Sequence, residues 1–399
     1  MNSTGIANPI RGPFTIIGAL VLWILVSVAA YIGFIRDAGR CDFCSIWSTP
    51  RLLITQRMPL YTVETNHAAQ ILDQGHLIPP GENQQWFVNP AIAVPLMLPF
   101  WLIPSGKIAA AVLVGLSAVM FAATIILMRR ANNPIPAWGV LLLACSAWTL
   151  SVFFATQTMA ISTIVLAISF WAYRDRQDRL AGSVLPVAMI KPELALVPAA
   201  VLIILTIRDR RWVVLISAAV SCVIIFAASL LMAGWWVDRW LVRIREYSAD
   251  SGGSMSIWPI EWLWQTSPLA LLTGLAALAG AMLLVRHDST AILAVSVATG
   301  MLVLPQTMPY ALGILLIPMA YAWRGKVAAE ALTVWLFSWL SYVAYALVSD
   351  PQTWWPYQMI LSPLSTIAAV VVASRGNQPN TQLSALDPLP DSLTVSDTH

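Results

Sequence analysis

The chain has 399 residues, of which 58% are hydrophobic and only 10% charged, with a formal net charge of +3 and a mean hydropathy of +0.74. A soluble domain carries about 25% charged residues, so this composition excludes a water-covered globular protein and specifies an all-α polytopic integral membrane protein surrounded by membrane lipid. The net charge is too small to suggest a nucleic-acid partner.

The first apolar run, 13–34, is long enough to span, lacks a small-residue cleavage site and reads as a permanent helix rather than a signal peptide. A polar, extended-looking stretch follows within 35–86. Run 87–104 carries Pro90, Pro95, Pro99 and Pro104 and reads as a broken, re-entrant or interfacial element. Apolar runs then recur at 107–128, 136–154, 158–173, 180–190, 193–207, 212–234, 266–285, 289–304, 310–323, 328–348 and 357–374. All are expected to be helical, because a backbone in lipid must bond within its own segment. Residues 1–374 form one transmembrane domain, and the Pro/Ser/Asp-rich 375–399 reads as a disordered cytoplasmic tail. No internal repeat is visible, which argues against a transporter built from inverted halves. Many of the 19 tryptophans, such as Trp235, Trp236, Trp354 and Trp355, lie at segment ends as an interfacial belt.

Arginine and lysine in short loops set orientation. Clusters at 129–130, 174–179, 208–211, 286–288 and 324–326 can all face the cytoplasm if each interval between them is crossed twice. About twelve crossings follow, with both termini inside and 35–86 as an extracytoplasmic loop. Runs 180–190 and 193–207 reach only about 16 and 22 Å, against a hydrocarbon core of about 30 Å. Lys191 is therefore expected at the tip of a short hairpin, below the outer surface.

That threading gathers polar residues on the outer side: Asp42, Asn89, Gln157, Lys191, Glu193, Gln306, Thr307 and Tyr310. Polar groups converging from distant segments on an apolar scaffold have the character of an active or transport site. Each also has a plainer reading. Asp42 could pair with Arg40, Lys191 could snorkel, the glutamines could join helices, and Asn89 could start a helix. Cys41-x-x-Cys44 could be a disulfide, half of a metal site with His67 and His76, or neither. Cys145 and Cys222 lie in apolar runs and read as packing residues.

Four stretches in order resemble glycosyltransferase family 87: "CDFCSIWSTPRLLITQRMPLY", "FVNPAIAVPLMLPFWLIP", "ATQTMAISTIVLAISFWAYRDRQDRLAGSVLPVAMIKPELALVP" and "LPQTMPYALGILLIP". Thr156 stands where the family usually has glycine before its Gln, and Asn89-Pro90-Ala91 replaces Tyr-Pro-Pro. The resemblance implies a GT-C-like fold with interfacial helices in the first outer loop. It implies an inverting transferase that moves a sugar, mannose being the expected one, from a polyprenyl-phosphate donor to a glycolipid or glycan acceptor. It places the catalytic carboxylate at Asp42. Lys191 and Arg57 would then serve the donor phosphate, with Gln157, Asn89, Gln306 and Tyr310 as further substrate-binding residues and no metal or other cofactor. The competing readings are a lipid-linked glycan flippase, which expects charges lining mid-membrane helices, and an assembly subunit, which expects Asp42, Gln157 and Lys191 to lie far apart.

Overall fold

The computed structural model describes residues 13–36, 42–80, 84–129, 135–250, most of 275–303, 309–323, 338–339 and 351–375. Every regular element among them is helical. Helix α1 spans Pro13–Ala30 and runs into a π turn at Tyr31–Ile35. α6 (Gly106–Met128) and α12 (Trp212–Ala233) are long and apolar enough to cross a membrane. Five shorter apolar helices accompany them, including α9 (Met159–Arg174) and Ser289–Val303. Ile216, Val223, Ile224 and Leu231 project outward from α12. An apolar face of that extent is stable against lipid and not against water. Among the described residues, two helices meet the spanning criterion, and run 328–348 lies almost wholly outside them.

Close helix crossings are made by small residues, as expected where lipid supplies no hydrophobic drive between helices. A Cβ on Gly115 would lie 2.4 Å from the Trp23 carbonyl, where α1 meets α6, and one on Gly182 would lie 2.1 Å from the Val214 carbonyl. Gly182 belongs to α10 (Asp178–Val184), which crosses α12 and continues as a 3₁₀ helix, Leu185–Ile190. α11 (Pro192–Arg208) follows directly.

The polar stretch after the first helix is folded rather than extended. It forms α2 (Asp42–Gln56) and α3 (Val63–Gln74). The proline-rich run is broken as its sequence requires, into α4 (Ala93–Leu96) and α5 (Leu98–Leu102). Each piece buries one side against the protein, α4 through Ala93 and Val94 and α5 through Trp101. Trp101 is fully buried, and its indole Nε1 donates to the Val94 carbonyl at 3.0 Å. A further helix, α13 (Val237–Asp250), lies between the apolar runs 212–234 and 266–285. Run 136–154 is divided at Cys145–Ser146 into α7 (Ala137–Ala144) and α8 (Ala147–Phe154).

Four of the five basic clusters come together at one end of the bundle. Arg174 donates to the Arg129 carbonyl at 3.2 Å, and Arg208 to the Ser289 hydroxyl at 3.2 Å. Tyr321 bonds Asp288. Buried Arg211 ties the centre: its Nε donates to Asp178 at 3.0 Å, its Nη1 to the Tyr173 carbonyl at 2.6 Å, and its guanidinium lies 3.8 Å over the Tyr173 ring. The Tyr173 hydroxyl in turn donates to Asp209 at 2.7 Å. Four clusters thus share one end of the bundle; the fifth, 324–326, lies outside the described residues. Removing one partner of a buried ion pair costs about 3–5 kcal/mol. Arg211→Ala is therefore expected to lower the unfolding temperature in detergent markedly. Arg211→Lys, which keeps the charge but loses the planar fork, should fall between. An unchanged melting curve for Arg211→Ala would show that this network carries no stability.

Candidate active site

The other end of the bundle is built around the turn after α8. Thr156 has φ +46°, a left-handed conformation that is rare for a β-branched residue and costs about 1–2 kcal/mol. The turn closes with two bonds, Thr156 N–H to the Phe153 carbonyl at 3.1 Å and Gln157 N–H to the Val152 carbonyl at 3.2 Å. This is the glycine-favouring helix stop, here made by threonine. Its side chain supplies a compensation: Oγ1 accepts from the Phe43 backbone N–H at 3.1 Å. That N–H lies in the first turn of α2, where amides have no intrahelical partner. A buried bond of this kind contributes about 1 kcal/mol, comparable with the conformational cost.

The next residue along makes the second tie. Gln157 Nε2 donates to Asp42 Oδ2 at 3.1 Å. Gln157 is 5% exposed, and its Oε1 has no hydrogen-bond partner among the described residues. A buried amide oxygen left in that state is placed to accept a ligand hydroxyl. Phe43 anchors the start of α2 from below: it is fully buried, stacked on Trp101 and edge-on to Phe100, each at 5.9 Å between centroids.

Lys191 arrives from the third segment. The 3₁₀ helix ends at Lys191, and Pro192 opens α11 at the position where a missing N–H costs nothing. The lysine is 7% exposed, so it does not snorkel to the surface. Its Nζ lies 3.6 Å from Glu193 and 5.8 Å from the centre of the Tyr310 ring. Asp42 has a surface-accessible face, yet the protein around its carboxyl is enough to push its pKa up. The Gln157 hydrogen bond and the Lys191 charge pull it back down. Tyr310 is within electrostatic reach of Glu193, Tyr247 and Asp42. Asp42, Gln157, Lys191, Glu193, Tyr310 and Tyr247 therefore share one locus, although they come from five separate parts of the chain.

Other expected site residues lie elsewhere. Arg57 is exposed, in a left-handed conformation just past the far end of α2. Fifteen helical residues separate it from the start of that helix, about 22 Å at 1.5 Å each, so it does not join the lysine beside Asp42. Asn89 is buried one layer away, where its carbonyl accepts from the Tyr61 hydroxyl at 2.7 Å. Among the described residues it makes no hydrogen bond to Asp42, Gln157 or Lys191. Gln306 and Thr307 lie outside the described residues. Cys44 is disulfide-bonded, whereas Cys145 and Cys222 are not; Cys41 lies outside the described residues. Among the described residues no group of His, Cys, Asp and Glu is arranged to hold a metal ion.

The sequence reading missed α13. Its Trp240 Nε1 donates to the Val88 carbonyl at 2.8 Å. Its buried Arg243 donates to the Tyr61 carbonyl at 3.0 Å, pairs with Glu246 and lies 3.6 Å over the Trp86 ring. One turn later comes Tyr247. Trp236, Trp240, Arg243 and Tyr247 recur at the 4-3-4 spacing of a single helical face, and that periodicity was the available signal.

The model of glycosyltransferase family 87 matches residues 87–309, more than half of the chain. No curated protein and no solved structure matches it.

The opposing influences on Asp42 give a testable sign. Loss of the Lys191 charge in Lys191→Met, or of the amide in Gln157→Leu, removes a contribution that lowers the carboxyl pKa. Asp42 should then titrate at higher pH than in the native protein. The check is the infrared C=O stretch of the protonated carboxyl, identified by its disappearance in Asp42→Asn. A midpoint that stays in place in both variants would show that neither group acts on Asp42.

Proposed function

The chain belongs to glycosyltransferase family 87, and from that premise we propose that it transfers a sugar, mannose in the first instance, from a polyprenyl-phosphate donor to a hydroxyl of a glycolipid or glycan, with inversion. The observation that carries this reading is the meeting of Asp42, Gln157 and buried Lys191 at one end of the bundle. It supplies a base, an orienting amide and a cation without a metal.

In this reading the acceptor oxygen attacks the anomeric carbon while Asp42 takes the acceptor's proton. The carbon–oxygen bond to phosphate breaks on the opposite face, and polyprenyl phosphate leaves with the electron pair. Lys191, held by Glu193 and the face of Tyr310, neutralises the departing phosphate. A fixed cation in a water-poor site is worth far more to developing charge than one in bulk water. Gln157 orients the base through Nε2 and offers Oε1 to a sugar hydroxyl. Burial raises the pKa of Asp42, which makes its carboxylate a stronger base toward the acceptor hydroxyl.

The site is placed on the extracytoplasmic face, within a bundle of about twelve crossings whose termini are cytoplasmic. Two features support this side. The arginine clusters gather at the opposite end, with the 16 residues of α9, about 24 Å, between Gln157 and Arg174. Cys44 is disulfide-bonded in the same helix as Asp42, and disulfides persist in oxidising compartments.

The test is transfer from polyprenyl-phosphate mannose to a panel of glycolipids and glycans by the purified protein, read by mass spectrometry. Asp42→Asn keeps shape and hydrogen-bonding capacity but not basicity. Turnover should fall by about 10²–10⁴, while Glu64→Gln, at the exposed first turn of α3, stays near native. Near-native turnover in Asp42→Asn would reject the base, and movement of the donor lipid without sugar transfer would favour a flippase.

The same assay isolates the lysine. Lys191→Met should raise the donor KM or abolish turnover, with donor affinity weakened in a direct binding measurement. Unchanged donor kinetics would remove Lys191 from the phosphate site.

A further inference from the structure

Asp42 and Phe43 are adjacent, and so are Thr156 and Gln157. The two pairs meet through two hydrogen bonds: Gln157 Nε2 to the Asp42 carboxylate at 3.1 Å, and the Phe43 N–H to Thr156 Oγ1 at 3.1 Å. The first bond can orient the carboxylate only if the backbone that carries it stays in register with the turn. The second fixes that register. Thr156 is 2% exposed and Phe43 fully buried, so water does not replace the hydroxyl if it is lost.

The identity of residue 156 sharpens the point. With φ at +46°, glycine would fit the backbone without strain. A β-branched residue at this φ persists only where something else holds it, and such outliers gather at functional sites. Here the holding contact runs not to the residue's own helix but to the helix bearing the carboxylate. Aliphatic packing cannot account for that contact, because Oγ1 is the atom that makes it.

We propose that Thr156 is a positioning residue: its hydroxyl locks the start of α2 to the Gln157 turn and so sets where the Asp42 carboxylate stands. It touches neither donor nor acceptor. The inference rests on Asp42 as the base, and its tests are chosen to separate the two. A displacement of about 1 Å of a reacting group can cost up to 10²-fold in rate.

Thr156→Val keeps the branched shape and removes the acceptor oxygen. Its kcat should fall by about 10- to 100-fold, with the donor KM within about twofold of native, because the donor-phosphate groups are untouched. Thr156→Ser retains the oxygen and should recover most of that loss. Thr156→Gly relieves the backbone strain, which offsets the lost hydrogen bond, so it should unfold near the native temperature and yet lose kcat as the valine variant does. This opposition of stability and turnover is what a purely structural role would not produce. If the valine variant does not fold, the glycine variant carries the test.

Native kcat in Thr156→Gly, or a loss in Thr156→Ser as large as in Thr156→Val, overturns the proposal while leaving Asp42 as base. Combining Thr156→Gly with Asp42→Asn should add almost nothing to the loss from Asp42→Asn alone, since the hydroxyl acts through that carboxylate. Full additivity would show that Thr156 acts elsewhere and would also overturn it. Native turnover in Asp42→Asn alone rejects the base and the positioning role together.

Discussion

The tie between the α8 turn and the start of α2 is the contact on which the site depends. Neither half is informative alone: a left-handed threonine is a local oddity, and an aspartate at a helix start is commonplace. Joined, they put a carboxylate, an amide with an open acceptor and a buried lysine within mutual reach. The Phe43–Trp101–Phe100 packing beneath them holds the carboxylate-bearing turn against α5. The proline-broken segment thus lies directly under the turn that carries Asp42.

The molecule separates its polar chemistry into two ends with different logic. At the arginine end, charges answer one another: Arg211 with Asp178 and Arg208 with Asp209, while Asp209 also accepts the Tyr173 hydroxyl. Such a network is satisfied within itself and is suited to fixing the bundle. At the other end satisfaction is incomplete. Among the described residues the Oε1 of Gln157 lacks a partner and Lys191 has one carboxylate at 3.6 Å and an aromatic face, while burial disfavours the ionised form of Asp42. A buried amide oxygen without a partner among the described residues costs stability, and a ligand hydroxyl would restore it.

Helix α13 adds a wall that crosses over residues 61–89. Arg243 lies between the Tyr61 carbonyl and Trp86, Trp240 holds the Val88 carbonyl, and Tyr247 reaches the surroundings of Tyr310. Arg243, rather than Arg57, is the buried arginine of this region. The difference is one of helix geometry: α2 carries Arg57 about 22 Å from its own start, whereas α13 folds back over the loop that contains Asn89.

Composition and local pattern determined much of this in advance. The scarcity of charge dictates a membrane protein, the prolines of 90–104 dictate a broken element, and the arginine spacing dictates which ends share a side, because each is a local consequence of chain chemistry. The motif order also marked Asp42, Gln157, Lys191 and Tyr310, four groups that share the site. Tertiary structure alone decided the rest. The family resemblance implied helices in the polar stretch, but where they dock is set by Phe43 stacking on Trp101 and Trp47 donating to the Phe100 carbonyl, far along the chain. Thr156 looks like a departure from glycine until Phe43, 113 positions away, is seen to donate to it. Whether a polar residue is a surface group or a site residue depends on which distant backbone comes to meet it, and that is a property of packing that no single segment contains.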